Sequence, residues 1–140
     1  MKPVPILVAT DVVLFGIGPE VSVLLIQRKN EPFKDAWALP GGFVDPDEDL
    51  MQAALRELVE ETSVEITNAI QVGAYGNPGR DPRGRVVSIA YTAHVEITDV
   101  KPKAADDAKK VAWHPLKKLP ELAFDHARII SDAAMKYGLN

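Results

Sequence analysis

The chain has 140 residues, 16 Lys plus Arg against 20 Asp plus Glu, and a formal charge of −4. That length predicts one domain spanning 1–140, able to bury roughly 68–70% of its unfolded surface without a disulfide or a structural metal. The acidic balance argues against nucleic acid or an anionic membrane as the main partner, and zero cysteines exclude a disulfide framework, a thiolate nucleophile and Cys-ligated metal.

Val4 to Phe15 and Val21 to Arg28 are runs rich in β-branched residues, and the Gly16–Ile17–Gly18–Pro19 turn between them predicts a hairpin. The first run is broken by Pro5, Thr10 and Asp11 and falls short of the roughly 18 apolar residues of a membrane span. Only Lys2 precedes it, which is not the order of a secretory signal, so a soluble cytoplasmic protein is the expectation. Asn30 to Ala36 reads as a loop, followed by a short strand near Trp37 to Leu39 that Pro40–Gly41–Gly42 ends. Glu48 to Thr62 is the clearest helix. Met51, Ala54, Leu55 and Leu58 recur at helical spacing, with Asp45, Asp47 and Asp49 near the N-terminal end.

Val64 to Tyr75 contains a further strand, and Gly76 to Arg85 is a loop rich in Pro, Gly and Arg. Val87, Ile89, Tyr91, Ala93, Val95 and Ile97 alternate with more polar residues, which predicts a strand with one buried face. A short strand near Lys110 to Trp113 leads to a last helix from about Ala123 to Lys136, with Ala127, Ile130 and Ala134 along one side. Strands outnumber helices, so the fold class is α/β or α+β, a layered sandwich.

One constellation stands above this background. At about 100° per residue, Glu57, Glu60 and Glu61 share an arc of about 100° beside the apolar face. Such clustered carboxylates repel, and they suit a hard divalent ion such as Mg²⁺, which takes a few carboxylates plus waters and phosphates. Upstream, Gly41–Gly42 can open main-chain groups to a ligand because glycine has no Cβ. A solvated acidic face screened by Arg56 is the plain alternative.

Residues 42–64, GFVDPDEDLMQAALRELVEETSV, resemble the Nudix box: Gly, five residues, Glu, seven residues, Arg-Glu, an aliphatic, any residue, Glu-Glu, any residue, Gly, an aliphatic. Gly42, Glu48, Arg56, Glu57, Leu58, Glu60, Glu61 and Val64 fit, and Ser63 stands where the pattern has glycine. Serine in a left-handed helix end costs on the order of 1 kcal/mol if that geometry is kept.

The resemblance implies a mixed β-sheet between helices, an α/β/α sandwich, and Mg²⁺- or Mn²⁺-dependent hydrolysis of a nucleoside diphosphate linked to another group. It implies that Glu57, Glu60 and Glu61, with the Gly42 carbonyl, bind the metal, and that Arg56 pairs with Glu48 and holds a glutamate in place. Glu57, or an acid on a later loop, Asp106 or Asp107, would be the general base. Family members often dimerise, and the Val and Ile runs are compatible with a homodimer.

Lys29–Asn30, Pro32–Phe33, Trp37 to Gly42, the loop from Pro78 to Arg85, and Leu122–Ala123–Phe124–Asp125–His126 resemble the ADP-ribose pyrophosphatase branch. ADP-ribose is then the expected small-molecule substrate. Arg80, Arg83, Arg85 and Arg28 would meet phosphate oxygens, unless neighbouring acids such as Asp81 satisfy the loop arginines. Phe33 or Trp37 could stack on adenine, or simply belong to the core. A nucleoside triphosphate pyrophosphatase is the rival within the family.

The rival outside catalysis is an ADP-ribose-sensing module of a transcriptional regulator. The retained Glu57, Glu60, Glu61 and Arg56, and a chain ending at Asn140 soon after the last helix, favour chemistry. Of the histidines, His94 reads as exposed, His114 as a turn residue and His126 as packing. None is paired at zinc-ligand spacing.

Overall fold

The computed structural model describes residues 4–105 and 108–139. In chain order the elements are β1 (Leu7–Ile17), β2 (Ser22–Arg28), β3 (Trp37–Ala38), β4 (Gly41–Phe43), α1 (Leu50–Thr62), β5 (Ile70–Tyr75), β6 (Val86–Glu96), β7 (Ala108–Pro115) and α2 (His126–Lys136). A single 3₁₀ turn, Ile97–Asp99, follows β6.

The strands form one mixed sheet. Its path runs β3-β2-β1-β6-β5, with β4 paired to β1 and β7 to β2. β1 and β6 run parallel from Leu7↔Val86 to Ile17↔Glu96, and the other pairings are antiparallel. The expected hairpin exists but is brief. β1 and β2 share only Phe15↔Val23 and Gly16↔Ser22, beyond which β2 pairs with β3 and β1 with β4, while β7 and β6 run along the other edges of β2 and β1.

Helices cover both faces, as a sheet with two apolar faces requires. Val12, Leu14 and Leu24 pack against Ala54 and Leu58 of α1. On the other side Val13, Phe15, Val23 and Leu25 pack against Ile129, Ile130, Ala133 and Ala134 of α2. This double cover explains why β1 reads as a continuous apolar run rather than an alternating one.

Two expectations need correction. β6 keeps a wet face only at its end, at His94 and Glu96: Ser88, Ala90 and Thr92 of the same face are buried. Ser88 Oγ donates to Asp11 Oδ2 and Thr92 Oγ1 donates to the Val13 carbonyl, so the polar groups are satisfied inside. In α2 the buried stripe is His126, Ile129, Ile130, Ala133 and Ala134, while Ala127 faces solvent. Among the described residues no helix is long and apolar enough to cross a membrane.

Candidate active site

The two antiparallel pairings at the middle of β1 bring the glycines to the acid-bearing helix. Thr10 faces Gly42 and Asp11 faces Gly41 across β1 and β4. The approach leaves no room for side chains. A Cβ at Gly41 would lie 2.0 Å from the Thr10 carbonyl oxygen, and one at Gly42 would lie 2.6–2.7 Å from the Glu57 carboxylate. The Gly41 N–H donates to Glu61 Oε1 at 2.8 Å, which docks the last turn of α1 on β4.

α1 begins after Asp49, whose N–H donates to Gln52 Oε1 at 3.1 Å, and ends at Ser63. Ser63 has φ 63° and ψ 13°, and its N–H donates to the Val59 carbonyl at 2.8 Å. The left-handed helix end normally made by glycine is therefore kept with serine.

Arg56 is the hub of the helix. Its Nε and Nη2 donate to the two oxygens of Glu48 at 2.7 and 2.6 Å. Nη1 donates to Glu57 Oε1 at 2.8 Å and to Glu60 Oε2 at 3.2 Å, and Nη2 also reaches the Phe43 carbonyl at 3.2 Å. The Arg56 fork and the Asp45 N–H hold the Glu48 carboxyl down at about 2. Several carboxylates around one guanidinium raise the Arg56 pKa above its ordinary value.

The three glutamates do not point one way. Glu61 is buried and turned to Gly41, while Glu57 and Glu60 are drawn to Arg56, and Glu60 is the more exposed. Among the described residues no three carboxylates or imidazoles are gathered into a ready cation cage. The donor set nevertheless fits a hard divalent cation in kind and place. Glu57, Glu61 and Gly42 open on one cavity of about 460 Å³, with the Glu57 carboxylate against the bare Gly42 backbone. Glu57, Glu60, Glu61 and the Gly42 carbonyl are the groups that could hold it.

A second cavity, of about 150 Å³, adjoins this one and shares Arg28, Gly41, Gly42, Phe43 and Glu61 with it. Its wall carries Arg80, Asp81, Arg83 and Phe124, with Asp11 and His126 buried at its floor.

The loop arginines meet acids of their own chain. Arg80 forks onto Asp125 at 2.9 and 2.6 Å, and Arg83 forks onto Asp81 at 3.0 and 2.7 Å. Arg83 therefore holds the Asp81 carboxyl below its usual range. Burial pushes Asp125 up, but the Arg80 fork outweighs it and the net shift is downward. Arg28 donates from Nε to the Pro32 carbonyl at 2.7 Å and lies over the Phe124 ring, 5.1 Å from its centroid. Arg85 does not line either cavity, and its buried Nη1 has no hydrogen-bond partner.

Trp37 packs with the core and meets His114 at 4.3 Å, away from both cavities. Phe33 lines neither cavity; it is exposed, with its ring 4.8 Å from that of Phe124. His114 lies within β7 rather than in a turn, and burial lowers its pKa. Asp106 and Asp107 lie outside the described residues.

Asp11, Ser88, His126 and Phe124 carried little or no site signal in the sequence. They come from β1, β6, α2 and the segment before α2, so no local spacing marks them; only Phe124 and His126 stood in a motif resembling a known branch. Burial raises the Asp11 pKa against the pull of His126 and Ser88. Burial likewise lowers that of His126. Its Nδ1 accepts the Leu39 N–H at 3.0 Å, which puts the proton on Nε2, 3.5 Å from Asp11 Oδ1.

The profile of the NUDIX domain matches residues 5–133, and the chain belongs to the NUDIX family. It is 46% identical over 116 residues to an ADP-ribose pyrophosphatase of Methanocaldococcus jannaschii, covering 83% of this chain and 68% of that protein. It is 37% identical over 132 residues to the ADPR responsive transcriptional repressor NtrR of Acinetobacter baylyi, covering 91% of this chain and 52% of that one. The chain thus spans about half of the repressor's length. Among solved structures, the NUDIX domain of Shewanella oneidensis NrtR in complex with ADP ribose superimposes with a TM-score of 0.88 at 37% identity. That match covers 95% of this chain and 89% of the other.

Proposed function

We propose that the chain hydrolyses ADP-ribose, with water, to AMP and ribose 5-phosphate. The observation that carries the chemistry is the pair Glu57 and Glu61, opening with Gly42 on one cavity. The likeness to the M. jannaschii pyrophosphatase supports the substrate. Glu57, Glu60, Glu61 and the Gly42 carbonyl hold a divalent cation, Mg²⁺ or Mn²⁺. Such an ion neutralises a pyrophosphate, polarises phosphorus and lowers the pKa of an attacking water.

Arg56 fixes Glu57 on one side and Glu48 on the other, and the Gly41 N–H holds Glu61, so Glu57 and Glu61 are in place on the cavity before substrate arrives. Arg28 lines both cavities and is the cation best placed for a phosphate oxygen. The base that takes the proton of water is Glu57 or an acid at 106–107. Removing a base lowers kcat by about 10²–10⁴-fold. Such a loss with metal affinity kept in Asp106→Asn or Asp107→Asn assigns the base to that acid. No such loss in either assigns it to Glu57, whose replacement by Gln would weaken metal binding as well.

The test is product analysis with Mg²⁺ and, separately, ADP-ribose, NADH, a diadenosine polyphosphate and normal and oxidised dNTPs. AMP plus ribose 5-phosphate as the dominant products, lost in Glu61→Gln, is the expected result. A dNMP with pyrophosphate would keep the box chemistry and replace the substrate. The likeness to the repressor supports a second reading, ADP-ribose sensing, and binding of ADP-ribose without turnover of any substrate would favour it.

A further inference from the structure

The smaller cavity differs in chemistry from the carboxylate-lined one beside it. Its volume of about 150 Å³ is below the roughly 300–1,000 Å³ of a pocket for a whole ligand, so it takes one moiety. Apart from Arg28, which it shares with the larger cavity, its cations are already paired. The Arg80 and Arg83 charges are matched by Asp125 and Asp81, and the floor carries the carboxylate of Asp11. Its rings already carry neighbours, and Phe43 keeps part of its surface exposed. Phe124 has Arg28 at 5.1 Å, Arg83 at 5.6 Å and Phe33 at 4.8 Å, and Phe43 has Arg83 at 5.9 Å.

The floor is built for hydroxyl groups. Ser88 donates to Asp11 Oδ2, which fixes the carboxylate, while Oδ1 stands 3.5 Å from the Nε2–H of His126. A hydroxyl that donates to Oδ1 and accepts from Nε2–H would satisfy both groups, and a second hydroxyl on the next carbon can also donate to the carboxylate.

We propose that Asp11, held by Ser88 and aided by His126, reads the vicinal diol of the sugar beyond the pyrophosphate and so sets substrate specificity. This rests on the proposed ADP-ribose activity. It assigns the smaller cavity to the distal sugar and the larger one to the pyrophosphate.

The test compares the wild type, Asp11→Asn and Ser88→Ala on two substrates: ADP-ribose, and an ADP whose β-phosphate carries only a methyl ester. Calorimetric binding of ribose 5-phosphate and of AMP is measured alongside. Asp11→Asn is expected to lower kcat/KM on ADP-ribose by about tenfold or more, and on the methyl ester by less than about twofold. Ribose 5-phosphate binding falls in parallel and AMP binding stays.

Equal losses on both substrates, no loss on either, or a selective loss of AMP binding would overturn the assignment. If Asp11→Asn lacks a cooperative melt, Ser88→Ala must show the same selective loss, and its absence overturns the proposal. If the wild type turns over no ADP-ribose, the proposed activity fails and ribose 5-phosphate decides this inference alone. Binding that Asp11→Asn abolishes sustains it, and no binding to the wild type ends it.

Discussion

Ser63 holds a left-handed conformation with a Cβ present, which costs about 1–2 kcal/mol relative to glycine. Glycine would give back part of that through the freedom of the unfolded chain, about 0.4–1 kcal/mol. Ser63→Gly should therefore stabilise the protein by about 0.5–1 kcal/mol, seen as a higher urea midpoint with an unchanged m-value. A lower midpoint would mean that the 3.5 Å contact of Ser63 Oγ with the Lys103 carbonyl outweighs the backbone strain.

The two glycines of β4 should fail differently. Gly42→Ala presses on a side chain, Glu57, so turnover should fall while the thermal melt stays near wild type. Gly41→Ala presses on the Thr10 backbone carbonyl, so the β1–β4 pairing and the melting temperature should go first. The crowding at Gly42 thus comes from Glu57 of the same motif, whereas that at Gly41 comes from β1, distant in sequence, and is visible only with that strand in place.

At the scale of an element, α1 is where the sequence was most legible, because its 3.6-residue pattern and its Glu48–Arg56 spacing are local. The Glu48 carboxyl titrates at about 2 in the folded chain, against an ordinary value of 4.5. A lowered folded value means that its contribution to stability is full above about pH 4.5 and is lost as pH falls through about 2. The stability gap between the wild type and Glu48→Gln should therefore narrow over that window in urea titrations. A gap that stays constant would show that the fork adds nothing to folding.

The strands were harder to read. The polar residues of β6 alternate as they would on a wet face, yet the Ser88 and Thr92 hydroxyls donate to the Asp11 carboxyl and the Val13 carbonyl inside, which periodicity does not reveal. Trp37 and His114 face one another because β3 and β7 both pair with β2, a topology that no single strand announces. The loop arginines were legible as a patch, with Asp81 beside Arg83, but the acid that meets Arg80, Asp125, lies 45 residues beyond it.

That last pair acts across the molecule. Arg80 is nearly buried, and with Asp125 it ties the loop between β5 and β6 to the start of α2, closing one wall of the smaller cavity. Arg80→Met leaves Asp125 uncompensated near Asp11 and should cost on the order of 3 kcal/mol. Adding Asp125→Leu should restore a good part of the loss, and the double-mutant cycle measures the coupling. Additive losses would deny the latch.

The central ladder carries a consequence in time. Residue n of β1 faces residue n + 79 of β6 at every step from Leu7↔Val86 to Ile17↔Glu96, so each rung closes a long loop. Such pairing slows folding toward milliseconds or seconds, while a helix like α1 can form within about a microsecond. The carboxylates of α1 would then be presented early, on a chain that still lacks the floor of the smaller cavity. During refolding, helical circular dichroism should recover first, and binding of ribose 5-phosphate should return only with the slow phase that brings β1 and β6 together.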